Sequence, residues 1–173
     1  MHANLTNMDR FELLKQDGIA HGMCEKFQNE WDNPCLAELC SFFFRGMDFC
    51  IEHNWPDMEL AKQVFDAAEL ADYGIFIKSG TARNKMNVCT LEDSEVHVYI
   101  PDLGMCDIYA RHNSKVHIHI GYKAFCYVTV LDNAEVSIDE KEEWAQVKAS
   151  HFSGHIHEPY KFDAIHYKTK KEE

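Results

Sequence analysis

Three segments of this sequence superimpose at offsets of twenty residues: Thr90-Leu91-Glu92-Asp93-Ser94-Glu95-Val96, Ala110-Arg111-His112-Asn113-Ser114-Lys115-Val116 and Val130-Leu131-Asp132-Asn133-Ala134-Glu135-Val136. The match runs into the flanking residues without an insertion. Val96, Val98 and Ile100 correspond to Val116, Ile118 and Ile120 and then to Val136 and Ile138; Met86, Val88 and Thr90 correspond to Cys106, Ile108 and Ala110 and then to Cys126, Val128 and Val130. Apolar residues alternating with period two form strands with one inward face. A fixed step between such strands stacks equivalent residues coil upon coil, so the repeat predicts a β-solenoid with two strands per coil. At the bend, Asp93, Asn113 and Asn133 form a ladder of Asx residues, which tolerate turn geometry and bond neighbouring backbone. The last coil is looser: Ala145, Val147 and Ala149 resume the alternation one residue out of register, while Ile156 falls twenty after Val136. That mismatch predicts a bulge or a distorted turn.

The first part of the chain carries a helical period instead. Asp9 can cap a helix bearing Phe11, Leu13 and Leu14 that Gly18 would end. Met23, Phe27 and Trp31 form a stripe at steps of four that stops at Asp32-Asn33-Pro34. The most apolar segment, Leu36 to about His53, predicts one central helix, and Pro56 suits the first turn of the next. After Asp72-Tyr73-Gly74 the period changes from near 3.6 to two. The expected fold is therefore α+β: an N-terminal helical unit, 1–73, capping a short β-solenoid of 20-residue repeat, 74–157, with a polar C-terminal tail or cap, 158–173. Open solenoid ends expose strand edges, which is why covers are expected at both.

Composition narrows the function. The net charge is −12 over 173 residues, with 14 acids against 6 bases in residues 1–80. Such a surface repels phosphate backbones and disfavours direct nucleic-acid binding, while favouring a basic protein partner. No apolar run reaches the roughly 20 residues a membrane helix needs, and Met1-His2-Ala3-Asn4-Leu5 lacks the charged and apolar regions of a signal peptide, so a cytoplasmic protein is expected. The seven cysteines are odd in number, form no CxxC pair and sit in apolar stretches, as reduced packing residues do. No P-loop, GxGxxG, GxSxG or HExxH occurs, so neither a catalytic residue nor a cofactor is expected.

Two residue sets qualify as sites. Tyr99, Tyr109, Arg111, Tyr122 and Tyr127, with Leu131, read as outward residues of the types enriched at protein interfaces, and they form the expected partner-binding face. Alternatively, His97 and His117, one coil apart, with His119 and with His157 at the same offset, form an outward ladder whose imidazoles could converge on zinc or nickel. Against a metal stands the absence of a carboxylate or thiolate at a definite ligand spacing, and the interruption of the ladder by Ser137. Tyr99 and Asp139 read as the equivalents of His119.

Phe11-Glu12-Leu13-Leu14-Lys15, the stretch Cys24 to Trp31 and Gly74-Ile75-Phe76-Ile77, followed by the Asp/Asn-rich coils, resemble uncharacterised proteins of gut anaerobes and their phages or mobile elements, which join a helical unit to short solenoid coils. The resemblance implies the architecture and a mobile-element origin and carries no catalytic motif. The expected function is thus non-enzymatic protein–protein interaction, of the kind by which a phage or mobile element inhibits a host defence or nucleic-acid-handling protein. The alternative is a metal-dependent enzyme or metal-binding protein using the histidine ladder. A third expectation is homo-oligomerisation through solenoid edges.

Overall fold

The structure, a computed structural model, describes residues 7–157 and 163–166. The chain divides into two compact units, Met1–Glu69 and Leu70–Glu173. The first holds α1 (Asn7–Ala20), α2 (Glu25–Glu30), α3 (Leu36–Arg45), α4 (Met47–Glu52) and α5 (Met58–Val64). Its core is Leu14, Met23, Trp31, Leu39, Phe43, Met47, Trp55 and Val64.

Four details depart from the helical pattern, the first being that Asp9 lies within α1 instead of capping it. Helix α1 runs through Gly18 because that glycine packs directly against Met23 and the Trp55 ring, and the chain turns instead at Gly22, where φ is +92°. The expected single helix from Leu36 is broken at Gly46, whose φ of −101° and ψ of 24° leave the helical region. A Cβ there would stand 3.2 Å from the Phe42 carbonyl oxygen, so the break is built around a residue without one. Pro56 precedes α5 rather than starting it; Asp57 caps that helix by accepting the Glu59 N–H at 3.2 Å.

The second unit is a parallel β-solenoid of about four coils. One sheet, sheet A, contains β1 (Ile75–Phe76), β3 (Asn87–Thr90), β5 (Met105–Ala110), β7 (Phe125–Val130), β9 (Gln146–His151) and β11 (Asp163–His166) in that spatial order. The other, sheet B, contains β2 (Gly80–Arg83), β4 (Glu95–Ile100), β6 (Lys115–Ile120), β8 (Glu135–Lys141) and β10 (His155–His157). Val96 pairs with Val116 and Val116 with Val136, so the twenty-residue register is realised in space. The inward residues of both sheets, from Val88 to Ala149, share one core in which most side chains are fully buried. The solenoid also begins earlier than the repeat: β1 and β2 form a short coil whose partners lie 14 and 16 residues on instead of twenty. Met86, in register by sequence with Cys106, is exposed because β3 begins one residue later. Of the expected tail 158–173, residues 163–166 form β11 beside β9, and the remainder lies outside the described residues. Among the described residues no helix is long and apolar enough to cross a membrane.

Each coil turns twice, and the two corners differ. At one, the turns 91–94, 111–114 and 131–134 place positive φ on their second residue, Glu92, His112 and Asp132. The Asx ladder stands there as expected: Asn113 Nδ2 donates to Asp93 Oδ1 at 3.0 Å, and Asn133 Nδ2 to Asn113 Oδ1 at 3.1 Å. At the other corner, the turns 101–104, 121–124 and 142–145 place positive φ on their third residue, Leu103, Lys123 and Trp144. Gly121 is required there, since a Cβ would fall 2.6 Å from Asp102 Oδ1, the atom that accepts the Tyr122 N–H at 2.8 Å.

Candidate functional site

The outer face of sheet B is a grid set by strand alternation and register. One column runs Thr81, His97, His117, Ser137, His157; the next runs Arg83, Tyr99, His119, Glu140. In the second column the Arg83 guanidinium lies 3.9 Å from the Tyr99 ring centroid, and Tyr99 stacks on His119 at 4.2 Å and 6°. In the first, His97 stacks on His117 at 4.7 Å and 17°. The columns meet where His97 Nδ1 and His119 Nε2 stand 3.2 Å apart.

Acidic residues close this array. Register shifts by one between Ile118 and His119, so His119 pairs with Glu140 and not, as the repeat predicts, with Asp139. This is the bulge anticipated from the one-residue offset. It re-aims Asp139, as bulges do, to within 3.1 Å of His117 Nδ1, while Ser137 Oγ donates to it at 2.7 Å. Burial would raise the Asp139 pKa, but the hydrogen bonds from Ser137 and His117 prevail and hold it below the ordinary aspartate value. His117 Nε2 lies 3.3 Å from Glu95, and His119 Nδ1 lies 3.4 Å from Glu140. The ladder therefore does have carboxylates at ligand distance, contrary to the sequence expectation, supplied by Asp139 through the bulge and by Glu95 two residues before His97. His157 stands apart from the cluster: its Nε2 contacts Glu135 at 3.1 Å.

The expected partner-binding residues are not all brought together; only Tyr109 and Tyr127 share a face, on paired strands. Tyr99 belongs to sheet B, Tyr109 and Tyr127 to the outer side of sheet A, and Tyr122 to a corner. Arg111 is 3% exposed and so is no surface residue. It follows the last residue of β5 and opens the turn 111–114, its carbonyl accepting the Ser114 N–H at 3.2 Å, so the in–out alternation that made it outward has already ended. Tyr127 is partly buried, its hydroxyl bonded to Ser150.

A different exposed surface occupies the corner at 101–105, 121–125 and 142–146, where large apolar residues stand on the rungs either side of exposed Lys123, whose ammonium lies 5.1 Å from the Tyr122 ring centroid. Leu103 is 75% exposed, Trp144 73%, Met105 55% and Tyr122 39%. The corner turns stack rung upon rung, Leu103 N–H donating to the Tyr122 carbonyl at 2.8 Å and Lys123 N–H to that of Glu143 at 3.1 Å. Leu103 (φ 59°), Lys123 (φ 51°) and Trp144 (φ 62°) hold the left-handed conformation at equivalent places. For side chains other than glycine and Asx this conformation costs on the order of 1–2 kcal/mol each. Exposed Asp102, Glu142 and Glu143 flank the ridge. Of these residues only Tyr122 was legible as a site residue. The usable signal for the others was a Leu and a Trp at the turn position where glycine or asparagine is usual.

No family model matches the chain, and no curated protein or solved structure does either.

Proposed function

We propose that this is a binding protein that engages a basic protein partner through the corner ridge of Leu103, Met105, Tyr122 and Trp144. The observation that carries this reading is the exposure of Leu103 and Trp144 on backbone that glycine would adopt without strain. The coil geometry imposes positive φ at every corner, at Glu92, His112, Asp132 and Lys123 as well, so what sets Leu103 and Trp144 apart is large apolar side chains left in water there, and exposed apolar side chains grouped on one surface mark interaction sites. Tryptophan and tyrosine are the residues that dominate binding energy when a partner desolvates them. A stacked backbone corner presents them preorganised, which lowers the ordering cost of association. The chain's charge of −12 and the acids flanking the ridge favour a partner of opposite sign and speed its encounter.

The test is site-specific photo-crosslinking in cells of the natural source. A photoreactive phenylalanine analogue at Leu103 or Trp144 is expected to capture one and the same basic protein, and the analogue at exposed Lys78 is expected not to. Trp144→Ala should abolish recovery of that protein by the tagged chain. Equal capture from Leu103, Trp144 and Lys78, or capture from none, refutes the ridge as the binding surface.

A further inference from the structure

The histidine array is independent of the ridge, and its geometry points to a site for one zinc-class divalent ion held by His97 Nδ1, His119 Nε2 and an Asp139 carboxylate oxygen. One ligand atom from each of these three residues lies within 4.8 Å of the other two. Two imidazole nitrogens bound to one tetrahedral ion at about 2.0–2.1 Å must stand about 3.3 Å apart. The two nitrogens here are 3.2 Å apart. The two rings are stacked at 28° with centroids 5.5 Å apart, so a tilt of one ring brings both in-plane lone pairs onto the ion.

The surroundings of His119 and Asp139 agree. A metal-bound histidine characteristically directs its other nitrogen at a carboxylate, which fixes the tautomer and strengthens the donor. His119 Nδ1 is buried, makes no hydrogen bond, and faces Glu140 Oε2 at 3.4 Å. Asp139 is aimed by the bulge and steadied by Ser137 and His117. Imidazole is a borderline donor that suits zinc, nickel or copper, and two imidazoles with a single hard carboxylate are too few oxygens for calcium or magnesium. Three protein ligands leave the fourth position of a tetrahedral ion to water or an incoming ligand.

A second triad, Glu95, His97 and His117, also falls within 4.8 Å, but it is not the site. The His97 and His117 rings are closer to parallel than those of His97 and His119, 17° against 28°, so their in-plane lone pairs converge less. His117 also has an acid at each nitrogen, Glu95 at 3.3 Å and Asp139 at 3.1 Å. It is a positioning residue for Asp139, and one ion per chain is expected.

The experiment is calorimetric titration of the full chain, stripped with chelator, with zinc chloride, alongside cobalt(II) loading to report coordination in the visible spectrum. Saturable binding of one zinc per chain is expected, with the intense visible bands of tetrahedral cobalt. His119→Gln and Asp139→Asn should each weaken zinc by more than about 100-fold, beyond the 10–100-fold expected for the supporting Glu140→Gln. His157→Gln should leave affinity unchanged. Metal-free melting curves verify that each variant is folded; should one fail to fold, the stoichiometry and cobalt spectrum of the unaltered chain decide. Absence of saturable binding up to millimolar zinc overturns the site, as does one-ion binding of unchanged affinity in both ligand variants. Either result leaves the His97–His119 contact as a plain hydrogen bond.

Discussion

Ile118→Ala probes the physics that holds every coil in place. Ile118 is fully buried at the middle of β6, with Val98 and Ile138 in register on either side. The substitution removes three carbons from a site without solvent, which costs about 2.4 kcal/mol at about 0.8 kcal/mol per buried methylene. A cavity term adds to this because the walls cannot close: the strands beside β6 are pinned by ladder hydrogen bonds on both sides, so relaxation is slight. The measured range for such truncations, about 2–5 kcal/mol, places the expected loss near 4 kcal/mol. Hydrogen exchange read by mass spectrometry reports this unit separately from the helical one. Amides of 105–140 that exchange only through opening of the whole solenoid should exchange roughly a thousandfold faster, at about 1.4 kcal/mol per decade. The exposed Lys115→Ala, on the same strand, should change exchange less than about threefold, corresponding to the usual surface effect of about 0.5 kcal/mol. An increase below tenfold for Ile118→Ala refutes the rigid stacked core.

Two further outcomes follow from burial. Burial pushes the thiols of Cys40, Cys89 and Cys106 up to about 12 and that of Cys126 well above its usual value, and Cys50 is buried too; a thiol reagent should therefore modify only Cys24 and Cys35 rapidly in the native chain and all seven cysteines in denaturant. Burial also holds the His112 imidazole below its ordinary 6.5, with Arg111 adding to the effect while Asp132 and Glu92 oppose it. The unfolded chain thus binds that proton more readily, so stability present above about pH 6.5 is lost as pH falls through that value toward the folded one. Since His112 Nδ1 accepts the Glu92 N–H at 3.1 Å, protonation also removes an acceptor. Urea midpoints of His112→Gln should decline less than those of the unaltered chain between about pH 6.5 and 5; parallel declines contradict the assignment.

What could be read from the residues was what repetition encodes. Val96, Val116 and Val136 stack because the period and the apolar alternation act together, and the Asx ladder follows because equivalent turn residues meet one rung apart. Even the bulge in β8 was visible, since Val136 falls twenty residues after Val116 but Val147 falls twenty-one after Cys126. Its consequence was not: an inserted residue shifts later side chains across the grid, which brings Asp139 to the histidines and places Glu140 opposite His119. Arg111 was misread because alternation describes strands only, and β5 ends at Ala110. The exposure of Leu103 and Trp144 depends on the backbone conformation of a corner turn, which no pattern of hydrophobicity specifies. The opening coil lay within the expected 74–157, but its pairing was not legible because its turns are shorter, so its strands never fall at the twenty-residue step.

Both the ridge and the ion site depend on register, because a slip of one residue would turn His97 and His119 inward and redistribute the corner residues. The most direct measurement is therefore a methyl-resolved nuclear Overhauser spectrum of the intact chain. Parallel stacking at the expected spacing of about 4.8 Å predicts strong cross-peaks from the Val116 methyls to those of both Val96 and Val136. Cross-peaks from Val116 to any other pair of rungs, with Val96 and Val136 silent, would contradict the coil register from which the ridge and the ion site are built.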